Sequence, residues 1–248
     1  MLLRSIYYSL RRMLRGYVGY VILILLPLAI ITVNGFAAAG DGIVVGDEHG
    51  RSGMEVISVG IIIAFQLVGG FYTMETIKAD LFSEKRWRML SLPYPIYIHA
   101  ISILISSVLF SVLNGSIMVL FTYWVFDVNW GNMGWVILVL MLVSLVSQLV
   151  FLIAVTVIKR YKIAEFIGYA YLFLFMILSG YLFIPVPDIA LIDWINQYIN
   201  PLTLGETAII YQMQGQEMSE VYRSTGMLFA ISVLLIAFMV LFGRRRYT

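Results

Sequence analysis

Six stretches of about twenty residues are almost wholly apolar, and they decide what this chain can fold into. They run approximately over Val18–Ala39, Glu55–Met74, Ile98–Phe121, Trp135–Ile158, Ala164–Phe183 and Gly226–Phe242. A helix of ~20 residues crosses the hydrocarbon core of a bilayer. Composition agrees: 61% of the 248 residues are hydrophobic and 12% charged, against about 45–50% and about 25% in a soluble domain. So few charges cannot cover so much apolar surface in water. Six spans use ~120 residues, and the remainder is scattered between them. The expectation is one all-α polytopic membrane domain over residues 1–248. A soluble enzyme, a fused nucleotide-binding domain and a large ectodomain are excluded.

Orientation follows from Lys and Arg near the span ends. Arg4, Arg11, Arg12 and Arg15 precede span 1. Lys78, Lys85, Arg86 and Arg88 separate spans 2 and 3. Lys159, Arg160 and Lys162 separate spans 4 and 5. Arg244, Arg245 and Arg246 follow span 6. That places 14 of the 16 basic residues on one side, so both termini are expected in the cytoplasm. Trp130 and Trp135 flank the outer start of span 4 and read as interfacial aromatics. Pro27 should kink span 1. The basic N-terminal stretch leads into a span and is not expected to be a cleaved signal peptide.

Residues 1–17 read as a helix on the membrane surface. Leu3, Ile6, Tyr7, Leu10, Met13, Leu14 and Tyr17 recur at steps of three and four. Arg4, Arg11 and Arg15 fall opposite them, which suits the headgroup boundary. The plainer alternative is a basic flank that only orients span 1.

Chemistry has few places to sit. Cysteine is absent, so there is no disulfide and no thiolate chemistry. No G-x-x-x-x-G-K-S/T loop is present to cradle nucleotide phosphates. His49 and His99 lie on opposite sides and cannot share a metal. No charged residue falls in the middle of a span, which argues against an ion-coupled mechanism. Gln66, Asn114 and Gln148 read first as interhelical hydrogen-bonding groups and second as substrate contacts. Phe65, Gln66, Tyr169, Phe173 and Met176 on spans 2 and 5 would suit a hydrophobic or amphipathic cargo as a wall, with lipid contact or helix packing as the alternative.

Two segments between spans stand out. The cytoplasmic stretch 75–95 holds a short helix-like piece with Met74, Ile77 and Leu81 on one side, passes Asp80, and reaches the mixed-charge run Glu84, Lys85, Arg86, Trp87 and Arg88. Such a cluster suits a docking surface or a solvated loop. The outer stretch 184–223 has two apolar pieces too short to span and too apolar for a free loop, broken at Asn200-Pro201. Short re-entrant or surface-lying helices are expected there.

These segments resemble the membrane subunit of ATP-binding-cassette transporters, the ABC-2 type permease family. The first likeness is the charged run ahead of a leucine and a proline, Ser83 to Pro93. The family's usual Gly-Thr is missing from it; Trp87 and Arg88 stand near its place. The second is Leu178-Ser-Gly180-Tyr-Leu-Phe-Ile-Pro185 followed by Ile199-Asn200-Pro201-Leu202-Thr203. The resemblance covers essentially the whole chain. It implies a separate cytoplasmic ATPase subunit carrying ATP and Mg, so no cofactor on this chain, and a second permease copy or related permease. Membrane lipids are expected around it, and nucleic acid is not a partner. It implies a multi-pass protein of a prokaryotic plasma membrane that exports its substrate. Asp80, Glu84, Lys85, Arg86, Trp87 and Arg88 would couple to the ATPase. Gly180, Tyr181, Phe183, Pro185, Asn200 and Pro201 would form an outer gate, with Gly180 permitting close approach of a second helix. A non-transporting membrane scaffold or sensor remains the alternative, then a lipid-modifying membrane enzyme.

Overall fold

The computed structural model describes residues 2–16, 21–40, 53–81, 96–158, 160–181, 187, 189–215 and 217–247. Every regular element among them is helical. In chain order these are α1 (Leu2–Leu14), α2 (Leu26–Gly40, entered through a π-helical turn at Val21–Leu25), α3 (Gly53–Leu81), α4 (Ile96–Phe126), α5 (Met133–Val157), α6 (Tyr161–Leu178), α7 (Ala190–Tyr198), α8 (Pro201–Gln214) and α9 (Met218–Tyr247).

Five helices, α3, α4, α5, α6 and α9, are long and apolar enough to cross a membrane. The first apolar helix is shorter, with Val21–Phe36 as its apolar part. Several helices exceed their apolar runs: α3 continues seven residues past Met74, and α9 begins eight residues before Gly226. Helical hydrogen bonding does not stop where the hydrocarbon stops, so polar turns extend the spans on both sides.

Helix α5 is the axis of the bundle. It is apolar all round, the pattern of a helix enclosed by others. Of its most apolar stretch 67% is buried, against 17% for α6 and 22% for α9, which form the periphery. Its start is set by Asn132, whose Oδ1 accepts from Gly134 N at 3.0 Å and Trp135 N at 3.3 Å. Such a cap contributes about 1 kcal/mol.

Two packed cores lie along α5. One joins α3, α5 and α8 through Ile63, Leu67, Val139, Val143, Leu204 and Ile209. The other joins α1, α3, α4 and α5 through Met13, Met74, Ile77, Phe110 and Phe151. Phe151 shows how close the helices come. Its ring fills the space where a Cβ on Gly70 of α3 or on Gly168 of α6 would stand. Small residues at helix crossings let backbones approach inside a membrane, where apolar burial gives little drive to association.

The expected N-terminal helix is present, and one edge of its apolar face, with Met13 and Leu10, turns inward together with Ser9. Ser9 and Met13 are buried. Ser106 Oγ on α4 donates to Ile6 O at 3.0 Å, so α1 is bonded to the bundle. Leu3, Tyr7, Tyr8 and Leu14 stay exposed, leaving a second apolar face free for lipid. Trp130 departs from expectation. It is 1% exposed, and its indole Nε1 donates to Thr122 Oγ1 at 3.0 Å. The α4–α5 turn, with positive φ at Asp127 and Gly131, folds Trp130 back onto α4. It is a core residue and not an interfacial one.

Of the two short pieces between α6 and α9, α7 is peripheral, with Leu191 and Trp194 exposed. Helix α8 is inserted: Leu202, Leu204, Ala208 and Ile209 are buried in the first core, and Gly205 packs on Val143 and Ile63.

Candidate functional site

Three joints hold the helices in place, one at each end of the bundle and one between. The first is where α1, α3 and α4 meet. Asp80 falls on the same face of α3 as Met74 and Ile77, and all three are buried. Its carboxylate accepts from Arg12 Nη1 at 2.7 Å and Nη2 at 2.9 Å. His99 Nε2, from α4, lies 3.0 Å from Asp80 Oδ2. Asp80's side chain is 7% exposed and that of Arg12 is 47%, so the pair is half-dry. Bidentate guanidinium–carboxylate contacts are the stronger kind of ion pair. Asp80 was expected among the residues that couple to the ATPase. It is turned inward instead, because helical register carries it onto the buried side of α3. Beside it, Tyr161 at the start of α6 donates to Glu75 Oε1 at 2.9 Å.

The middle joint is a polar seam between α3, α4 and α5. Gln66 Nε2 donates to Ser111 O at 3.1 Å. Ser144 Oγ donates to Gln66 Oε1 at 2.5 Å. Gln148 Nε2 donates to Ser111 Oγ at 2.9 Å, and Ser147 Oγ to Leu67 O at 2.5 Å. Gln66 is 2% exposed. Its amide is engaged from both ends by neighbouring helices, as the interhelical reading expected.

The third joint gathers the residues expected at the outer gate. Helix α6 ends in a paired turn: Tyr181 N donates to Met176 O and Gly180 N to Ile177 O, both at 3.0 Å. Gly180 has φ +76°. This is the glycine-terminated helix end, where a side chain at the left-handed position is strained. The backbone turn itself calls for glycine at this position, a reason separate from the expected close approach of a second helix.

Asn200 then ties this end to α8. It is fully buried. Its Nδ2 lies within hydrogen-bond distance of Phe175 O (3.2 Å), Ser179 Oγ (2.7 Å) and Asn196 Oδ1 (2.9 Å). Its Oδ1 accepts from Leu202 N at 3.1 Å and caps α8, with Pro201 in the first helical position. Tyr181 completes the joint by donating to Glu206 Oε2 at 3.0 Å and packing on Gly60 of α3.

The structure therefore brings Gly180, Tyr181, Asn200 and Pro201 together. It separates the expected wall. Phe65 and Met176 pack at the edge of the first core. Tyr169 and Phe173 are exposed on α6, with the Tyr169 ring 4.4 Å from that of Phe71. Gln66 points the other way, into the seam. Glu84, Lys85, Arg86, Trp87 and Arg88, and also Phe183 and Pro185, lie outside the described residues, as does His49. Sequence reasoning passed over Arg12 and His99 as partners of Asp80, and Glu206 as partner of Tyr181. Nothing local signals those pairings.

The family model for the ABC-2 type transporter matches residues 2–214, from α1 to the end of α8. The chain belongs to the ABC-2 type transporter family. No curated protein and no solved structure matches it. The three joints thus all lie within the family-matched part of an ABC-2 membrane protein, and α9 follows it. With five apolar helices of spanning length, this ABC-2 protein is a multi-pass membrane protein. ABC-2 membrane components generally work with an ATPase subunit and leave catalysis to it.

Proposed function

We propose that this chain is the permease subunit of an ATP-driven exporter. It crosses a prokaryotic plasma membrane six times with both termini in the cytoplasm, pairs with a second permease, and moves a hydrophobic or amphipathic substrate outward. A separate ATPase subunit binds the cytoplasmic segment 75–95 and supplies the energy. The observation that carries this reading is family membership over residues 2–214. The distribution of Lys and Arg supports the orientation, and the exposed aromatic face of α6 at Tyr169 and Phe173 supports a pathway against the second permease. The mechanism is a shift between inward- and outward-facing populations, biased by ATP binding to the partner.

The chain purified alone should hydrolyse no ATP, and with its ATPase partner in vesicles it should couple hydrolysis to substrate movement. Turnover of ATP by the pure chain would sink the reading. Because the chain has no native cysteine, topology is checked in the same system. A cysteine replacing Glu48 or Gln214 should react with an impermeant thiol reagent outside intact cells. One replacing Lys85 or Lys162 should react only after permeabilisation. The opposite pattern would overturn the orientation.

A further inference from the structure

A groove of about 370 Å³ opens on the side of the bundle, apart from the three joints. Helix α5 forms its floor, with Val150 and Ala154 along it and Ile158 at its end. Ile167 of α6 forms one wall, and Leu235 and Phe238 of α9 the other. Every lining side chain is apolar. From Val150 to Val157 the floor covers about 11 Å at 1.5 Å rise per residue. One leaflet of hydrocarbon is about 15 Å deep, half of the ~30 Å core. The groove therefore has the length and chemistry of a slot for one acyl chain within a single leaflet.

Charge at its mouth says which lipid. Ile158 ends the floor, and the exposed Arg160 follows two residues later. Arg160 is the residue that enters α6, seven positions before Ile167, so it stands at the α6 end nearest the groove's Ile158. Helix α6 starts at this point with no side-chain cap on Arg160, so its positive dipole end lies there too. The acidic neighbour Glu165 acts on Tyr161, which is bonded to Glu75 of α3, and so belongs to the α3 side of α6.

From this we infer a binding site for an anionic phospholipid: one acyl chain in the α5–α6–α9 groove and the phosphate headgroup at Arg160. The site is separate from the proposed transport pathway and does not depend on it.

Native mass spectrometry of the full chain tests this, after extraction from vesicles of mixed phosphatidylglycerol and phosphatidylcholine. The wild type should retain phosphatidylglycerol about fivefold over phosphatidylcholine, which is what one arginine near an anionic lipid contributes. Arg160→Gln should keep a bound lipid and lose the preference. Ile167→Trp fills the groove from an exposed position and should lose the lipid. Equal retention of both lipids by the wild type, or retention by Ile167→Trp equal to wild type, would overturn the site and leave only surrounding bilayer lipid. Leu235→Cys supplies a further check. High-yield disulfide between two chains in the membrane would show a second copy in the groove and would also overturn it, whereas a monomeric thiol is expected.

Discussion

Arg12 and Asp80 stand 68 residues apart in the chain and meet through two hydrogen bonds of 2.7 and 2.9 Å. This contact fastens the amphipathic helix α1 to the end of α3, within the segment 75–95 proposed to meet the ATPase and ahead of its charged run at 84–88. An exposed ion pair contributes up to about 1 kcal/mol, while breaking a buried one costs about 3–5 kcal/mol. With Asp80 buried and Arg12 half-exposed, the loss belongs between them. Asp80→Asn should cost about 2 kcal/mol. Arg12→Gln added to it should cost little more, because the two changes remove one interaction. Ser9, on the buried face of α1, reports the outcome: a Ser9→Cys reporter should be slow to label in the native background and fast with Asp80→Asn. Unchanged labelling would show that apolar packing alone holds α1.

Gly180 separates two readings by the order of its variants. At φ +76° any L side chain with a Cβ is strained by about 1–2 kcal/mol, and asparagine tolerates this region better than most. Thermal unfolding of the purified chain should rank Gly180→Asn as mildest, with Gly180→Ala and Gly180→Leu both clearly worse and close to each other. Were close approach of a second helix the reason for glycine, damage would climb steeply from Ala to Leu and Asn would bring no relief.

How far these joints could be read from the residues depends on sequence distance. Asn200-Pro201 was readable as the break between two short helices because a cap and its proline act within three residues. The apolar spans were readable because membrane burial acts on composition, not on partners. The amphipathic N-terminal helix was readable, with Met13 on its apolar face, yet not the inward turn of Ser9, which depends on contact with α4. Trp130 looked interfacial because its neighbours are polar; the backbone turn that carries it inward depends on Asp127 and Gly131 adopting positive φ. Gly180 shows a deeper limit. A single sequence does not tell a glycine needed for backbone angle from one needed for close contact. Asp80, Arg12 and His99 come from three separate helices, and no local pattern joins them.

Gln66 tests whether the middle seam is structural or part of the route. An interhelical hydrogen bond inside a membrane averages about 0.6 kcal/mol. Gln66→Leu keeps the volume, and Ser144 still has Leu140 O to donate to at 2.7 Å. The variant should therefore unfold within about 1 kcal/mol of wild type and transport normally. Ser144→Ala combined with it should add little. A changed substrate range at unchanged stability would instead place Gln66 on the pathway.

Asn200 offers the strongest separation of roles, because its two side-chain atoms do different work. Oδ1 caps α8, and Nδ2 joins the end of α6 to α7 through Phe175, Ser179 and Asn196. Asn200→Asp preserves the cap and removes the donors; it also leaves a buried carboxylate facing the oxygens of Phe175, Ser179 and Asn196. Asn200→Ser preserves a capping oxygen without that charge. Asn200→Ala removes both functions, at about 1 kcal/mol for the cap and a further 1–3 kcal/mol for buried groups left unbonded. Stability should fall in the order wild type, Ser, Ala, with Asp at least as damaging as Ala despite its superior capping. The reporter is Ala208, fully buried on α8. An Ala208→Cys background should label slowly with Asn200 intact and faster in proportion to each variant's loss. An aspartate as stable as asparagine would show that the cap alone matters, and that the link between α6 and α8 does not hold the inserted helix in place.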